Sequence, residues 1–389
     1  MARTVRHLAS ATAALGLLAA LPAAPAGAVP AVKGSKTIIR ALNELRAQNG
    51  IPAGIKQRRR WSYDCFLHDR WMGRNGKVDH YEDPGTPGYS KGGAWAGPNS
   101  ILSEGLLPFT TPAADPYADA PFHLLQQLHP RLDVMGAAWV GFLDCETTFP
   151  GYKRAHPKHD RVYAYPGDGT TIPWFEYAYE AGGVPGDLVG LPQGTATGQY
   201  LLVYTDGPQK PAPLTDVKRA SLRGPDGRKV AVRVVDDRLA QGAFPGSGFV
   251  IPVHPLDPDT RYTARVEFAG HGARRTVHRS WKFTTEPLLT GSAAVKIKVT
   301  RAKSGYTIEL VGLDKAYQGR TGVVSGRAGQ DYSFSGGTLP IDDPNSVNSF
   351  TVPAPPDGEP LTITARVKPF DVGPRRVKGF TLTRTVGGG

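Results

Sequence analysis

Apolar residues first recur at helical spacing along this chain and later, for most of its length, at alternate positions. Ile38, Leu42 and Leu45 fall at i, i+4 and i+7 behind Ser35, a candidate cap, and Gly50 and Pro52 stop the pattern. A second helix is predicted over Trp61–Asn75 with Gly76 as its stop. Trp61, Cys65, His68 and Met72 share one of its faces, which turns His68 inward or into a cleft. Asp79 to Gly93 carries Pro84-Gly85 and Pro87-Gly88 and reads as turns. A short helix is expected over Asn99–Glu104. Another is expected over Phe122–His129, with Pro121 as its first residue and Pro130 closing it. Val134 to Leu143 is an apolar run that reads as a buried strand ending near Cys145.

Beyond this unit Arg154–Arg161 is polar and reads as a linker, and the next passage is rich in aromatics (Trp174, Phe175, Tyr177, Tyr179) that are expected to pack domains together. Then the period becomes two. Tyr262, Ala264, Val266 and Phe268 alternate with Thr263, Arg265 and Glu267, the mark of a half-buried strand. Together with VKRASLR, KVAVRVV, GFVIPV and SWKFTT this predicts an immunoglobulin-like sandwich. Val295, Ile297 and Val299, and later Leu361, Ile363, Ala365 and Val367, repeat the alternation and predict a second β-sandwich.

Composition adds a compartment. Arg3 and Arg6 precede the apolar run Leu8–Leu21, and Ala26-Gly27-Ala28 forms a small-residue cleavage site. This is a secretory signal peptide with cleavage expected after Ala28, and its apolar run is shorter than the ~20 residues of a membrane span. An extracellular chain with no transmembrane segment after cleavage is therefore expected. Two cysteines in such a chain most simply form a Cys65–Cys145 disulfide; the rival is a Cys65 nucleophile served by His68 one turn on. Without Arg3 and Arg6, 44 Lys and Arg exceed 34 acids by 10, which favours anionic partners. The basic residues are scattered and no nucleic-acid signature accompanies them, so specific nucleic-acid binding is excluded as the expected function. The abundance of Ala, Arg, Gly and Pro fits a bacterial source.

The segments ALNELRAQNGIP, LHDRWMGRNGKVDH, GGAWAGPNSIL and PFHLLQQLHPRLDVMGAAW, in that order, resemble the CAP superfamily (cysteine-rich secretory proteins, antigen 5, pathogenesis-related 1) in its bacterial secreted form. The resemblance covers about a third of the chain, from Thr37 to Thr148. It implies a multidomain protein, a CAP-like α-β-α sandwich followed by two all-β Ig-like sandwiches. The expected boundaries are a signal peptide at 1–28, the CAP domain at 35–150 and a linker with an aromatic connecting segment at 151–198. Ig-like sandwiches follow at 199–287 and 292–386. The run PLDPDTRYTARVEF followed by WKFTTE likewise resembles bacterial Ig-like or fibronectin-type modules.

The family pocket has two histidines and two glutamates, which in some members hold a metal. His80 and His123 match the histidines; Pro98 stands where one glutamate belongs, Asn99 is kept, and the second glutamate has no counterpart in the segment 103–120. From the residues alone, His68, His80 and His123 with Glu82 offer a zinc donor set. The competing reading is that these histidines hydrogen-bond one another and the loop backbone. A polar cleft of His80, His123, His68, Glu82 and Asn99 without an obligatory metal is preferred, with at most weak zinc at His80 and His123. His129, His156 and His159 lie outside the resemblance and are expected on the surface. No catalytic residue is assigned. The expected function is that of a secreted non-enzymatic protein binding a cell-envelope polymer, glycan or lipid. The alternatives are a metal-assisted hydrolase using the cleft histidines and an adhesin whose β-modules bind glycans.

Overall fold

A computed structural model describes residues 29–105, 108–208, 216–239, 245–269, 276–289, 295–302, 305–311, 317, 320–328, 332–341, 348–355 and 359–387. The architecture is mostly β, with four α-helices among the described residues. The first unit opens with α1 (Ser35–Gln48), whose Ile38, Ala41, Leu42 and Leu45 are buried as the spacing predicts. Ser35 is not its cap. Gly34 precedes the helix in the left-handed region, and the buried Ser35 hydroxyl instead donates to the Ala137 carbonyl. The short β1 (Lys56–Gln57) leads into α2 (Arg59–Asn75), which Gly76 ends at φ 60°. A short α3 (Lys91–Ala96) follows, capped by the Ser90 side chain.

Two expectations fail here for a tertiary reason. Residues 100–104 form a strand, β2 (Ser100–Glu104), where a helix was predicted. Pro98 lies in a single 3-10 turn after α3, and the residues beyond it pair antiparallel with a partner some forty positions away. After α4 (Pro121–Gln127), the apolar run from Val134 divides into two strands, β3 (Val134–Val140) and β4 (Leu143–Thr147). Gly141 at φ 69° and Phe142 form the two-residue turn between them. The sheet order is β1-β3-β4-β2, with β1 parallel to β3 and the other pairs antiparallel.

Alternate residues of β3 enter different cores. Met135 and Ala137 pack with α1 and α4 residues such as Leu42, Leu124 and Leu125, whereas Ala138 packs with Cys65, Trp71 and Met72 of α2. Between them Gly136 lets α2 lie directly on the strand, because a Cβ there would sit 2.4 Å from the Trp61 carbonyl carbon. The disulfide joins Cys65 of α2 to Cys145 of β4 across a Cα–Cα distance of 5.4 Å, which removes the rival thiol-nucleophile reading.

The segment read as linker and connector supplies strands instead. β5 (Arg161–Tyr165) and β6 (Thr171–Ile172) belong to the first sandwich, so its boundary lies well before residue 199. β7 (Glu176–Tyr177) and β8 (Ala196–Thr197) pair with each other. The sandwich is completed by β9 (Leu201–Asp206), β10 (Asp216–Arg223), β11 (Lys229–Val230), β12 (Val232–Asp236), β13 (Ser247–Pro252), β14 (Arg261–Ala269) and β15 (Thr276–Thr285). Its sheets run β12-β13-β9-β5 and β11-β10-β14-β15-β6. Leu201, Val203 and Val250 face the other sheet, where Tyr262, Ala264, Val266 and Phe268 meet them. Tyr163, Leu202, Tyr204, Phe249 and Ile251 face the opposite way into the core that holds Leu42, Leu124 and Leu125. One sheet of the sandwich is thus buried on both faces, and it shares a hydrophobic core with the helical unit.

Trp174 and Phe175, from the aromatic passage, are buried in the core of a second sandwich, and the Trp174 carbonyl accepts from Leu256 N–H of the first. The passage therefore joins modules as expected, although Tyr179 is exposed. The second sandwich has one sheet of β16 (Lys296–Ala302), β17 (Gly305–Val311) and β20 (Asn348–Pro353). The other contains β18 (Arg320–Ala328), β19 (Tyr332–Ile341), β21 (Leu361–Val367) and β24 (Phe380–Val386). A hairpin of β22 (Phe370–Val372) and β23 (Arg375–Val377) lies between β21 and β24 in the chain.

Candidate functional site

The expected cleft residues are spent on structure. His68 is wholly buried, with Nδ1 3.0 Å from Glu82 Oε1 and Nε2 2.9 Å from the Asp79 carbonyl. A carbonyl only accepts, so Nε2 carries a hydrogen, and one further proton lies between Nδ1 and the carboxylate. Burial is the main influence on His68 and lowers its pKa, with the Glu82 bond and charge acting against it. Glu82 Oε2 accepts from Ser90 N–H, and a Cβ on Gly93 would overlap Glu82 Oε1. His80 Nδ1 donates to the Gly97 carbonyl at 2.8 Å, and Asn99 Nδ2 donates to the Trp95 carbonyl at 2.7 Å. The His68 bonds tie the Gly/Pro-rich segment to α2, and His80 ties it to the turn after α3.

His123 belongs to a different constellation. At the start of α4 its Nδ1 lies 2.6 Å from Glu180 Oε1, and Glu180 also accepts from the backbone N–H groups of Phe122 and His123. These are N–H groups that a helix start leaves without internal partners. The carboxylate held by His123 thus comes from the connecting segment, 57 residues away, and not from the position of Pro98. Among the described residues no group of three or more His, Cys, Asp or Glu is placed to hold a metal ion. His80 and His123, the pair that the resemblance assigns to zinc, do not fit one.

Behind His123 lies a nest of buried acids. The His123 ring stacks on Tyr117, whose hydroxyl donates to Asp144 Oδ2 at 2.8 Å. Asp144 and Glu146 share a face of β4, and Gln127 Nε2 donates to Glu146 Oε2. Asp144 Oδ1, Glu146 Oε1 and both Asp69 oxygens are buried without a hydrogen-bond partner. Burial raises all three acids, Asp144 to about 8. Asp144 therefore holds its proton at neutral pH, and burial presses Asp69 and Glu146 in the same direction.

Open space lies elsewhere, at the seam between the helical unit and the first sandwich. A pocket of about 580 Å³ is lined from the first by Leu125, Gln126, His129, Arg131, Phe149 and Tyr152. His156, Asp206, Pro208, Pro245 and Ser247 line it from the sandwich side. Arg46 holds the helical wall. Its buried guanidinium donates to the carbonyls of Gln127 at 2.8 Å and His129 at 3.0 Å, satisfying the end of α4, and also to Pro52. His129 Nδ1 accepts from Arg131 N–H, and its ring stacks on Tyr152 at 4.3 Å. Burial, then the charges of Arg46 and Arg131, press its pKa down to about 3, so the ring is neutral with its proton on Nε2. Across the pocket His156 Nδ1 donates to Asp206 Oδ1 at 3.1 Å.

His129 and His156, expected on the surface, are therefore pocket residues, while His159 is exposed as expected. Arg131, Asp206 and Gln126 carried no sequence signal. The groups that meet at this seam, from Leu125 to Ser247, are separated by up to 122 positions, and no local pattern links the end of α4 to the end of β9.

No family model matches the chain, and no curated protein does either. Among solved structures, the FN1–FN3 domains of chicken CNTN1 align with 48% of this chain at 12% identity and a TM-score of 0.21. The alignment spans 61% of that structure's length, and a likeness this weak assigns no residue a role.

Proposed function

We propose that the chain is an exported, CAP-type binding protein that acts without catalysis, holding a small ligand at the seam between its α/β unit and its first sandwich. The observation that carries this reading is the pocket of about 580 Å³ whose wall is contributed by both units. Such a volume suits a drug-sized molecule, and an apolar wall with a few polar groups is the usual make-up of a ligand site. The CAP part of the reading is supported by the order of its motifs and by the layering of α2 against one face of the β3–β4 hairpin and of α1 and α4 against the other. The second sandwich then serves as a spacer towards the cell envelope. The metal-assisted hydrolase reading loses support because His68, His80 and His123 are each engaged by structural partners.

Thermal unfolding of the intact secreted chain with a panel of small carboxylates, alcohols, amines and sugars tests the proposal. A ligand present at a hundred times its Kd stabilises by about 2.7 kcal/mol, a readily measured rise in Tm. The rise should vanish in Tyr152→Ala. A panel that leaves Tm unchanged, or shifts wild type and Tyr152→Ala equally, refutes it.

A further inference from the structure

We propose, resting on the reading of the seam pocket as the binding site, that its ligand is an aromatic carboxylate, with the carboxylate on Arg131 and the ring against Tyr152 and Phe149. The polar lining is weighted towards donors. Arg131 is half-buried, and its Nε is fixed by the Arg154 carbonyl at 3.2 Å. Neither of its terminal nitrogens has a partner among the described residues, and no acid pairs with it; the nearby Asp133 is taken by Arg154 at 3.5 Å. A guanidinium is always charged, and its planar fork matches a carboxylate. His129 offers a second donor, since its Nδ1 accepts from Arg131 N–H and the hydrogen is left on Nε2. The one acid of the lining, Asp206, bonds His156 and makes no ion pair with Arg131.

Gln126 adds an independent sign of a missing partner. Gln126 belongs to the pocket lining, and its side-chain oxygen is buried without a hydrogen-bond partner. Buried polar atoms of this kind normally meet a bound molecule or water, and a turn of the amide presents its NH₂ as a further donor. The apolar part of the wall is planar. Tyr152 lies stacked on His129, and Phe149 stands edge-on to Tyr152 at 6.3 Å. Fixed rings favour an aromatic body over a flexible chain, because offset and edge contacts add to simple burial. An amine would face the unpaired Arg131, and a neutral alcohol would leave it unpaired.

Titration calorimetry of the intact secreted chain at pH 7 with 2-naphthoate, 2-naphthylmethanol and 2-naphthylmethylamine decides the matter. The expected order is naphthoate first, at least tenfold tighter than the alcohol, with the amine weakest. Arg131→Gln should abolish that preference at unchanged Tm, Arg131→Lys should restore part of it, and Phe149→Ala should weaken all three probes alike. Alcohol or amine binding as tightly as naphthoate, and lost in Tyr152→Ala, overturns the anion preference while leaving the pocket as a binding site. Naphthoate preference that survives Arg131→Gln overturns the assignment of the charged end. Silence of all three probes with folded protein overturns the proposal, and the wider ligand panel then judges the binding reading separately.

Discussion

The buried acids behind His123 make stability depend on pH in an unusual direction, and Asp144 gives the sharpest test. Its carboxyl is wholly buried on β4, with one oxygen accepting from Tyr117 and the other without a partner. Burial raises its pKa to about 8, the Tyr117 bond opposing and the charge of Asp115 adding to the rise. An aspartate in the unfolded chain titrates near ~4. The folded protein therefore keeps a proton that the unfolded chain gives up, and Asp144 favours folding fully below pH ~4. That contribution drains away as pH rises and is gone above about 8. Four units at about 1.4 kcal/mol each set an upper bound of about 6 kcal/mol, of which only the last 1–2 kcal/mol is lost between pH 7 and 9.

The window matters, because His129 acts in the opposite sense. Held neutral down to about 3, it costs stability as pH falls below the ordinary histidine value of ~6.5. Guanidinium unfolding of the intact chain between pH 7 and 9 isolates the acids. Wild type should lose stability steadily over this range. Asp144→Asn mimics the protonated carboxyl, keeps an oxygen for the Tyr117 hydroxyl, and should be more stable than wild type at pH 9 by several kcal/mol, within the ~6 kcal/mol bound. It should also show a flatter pH profile. A wild-type stability that is constant or rising from pH 7 to 9, or a variant whose profile runs parallel to it, would refute the reasoning.

The disulfide closes a loop with a sequence separation of 80, so the double variant Cys65→Ala/Cys145→Ala should lose about 4 kcal/mol, read from its guanidinium midpoint. Mass spectrometry of the purified protein should find no free thiol. Arg46→Ala leaves the carbonyls of Pro52, Gln127 and His129 without their donors and should cost about 3–5 kcal/mol, with Arg46→Lys a poor rescue; Tm measures both. A fragment ending at residue 160 exposes Leu124, Leu125 and Leu128, which the first sandwich covers, and should aggregate or bind a hydrophobic dye. A monomeric, cooperatively melting fragment would show that the shared core is dispensable.

Much of the site lies where sequence reasoning did not look, and the cases share a cause. His68 was placed inward correctly, because helical spacing with Trp61, Cys65 and Met72 determines a face. Whether an inward histidine is a ligand or a strut depends on what meets it, and Glu82 and the Asp79 carbonyl arrive from the loop that follows. The partner of His123 is Glu180, which sits in a segment without local periodicity. His129 and His156 read as surface residues because each stands in a polar, Pro-containing stretch. Only the packing of the sandwich against α4 encloses them.

By itself the sequence determined the helices α1, α2 and α4, the alternation of the β-modules and the single disulfide, since periodicity, Pro and Gly signals and a count of two cysteines act locally or without competitors. Tertiary structure decided where SILSE becomes a strand, how the run from Val134 divides at Gly141, and that Arg161–Tyr165 joins a sheet. In each case a short segment with weak preference of its own took the conformation that satisfied a distant strand's N–H and C=O groups. The seam pocket belongs to the same class of fact. It exists because Leu202, Tyr204 and Phe249 on one sheet face bury themselves against Leu124 and Leu125 of the helical unit, a contact between surfaces that no stretch of the chain encodes alone.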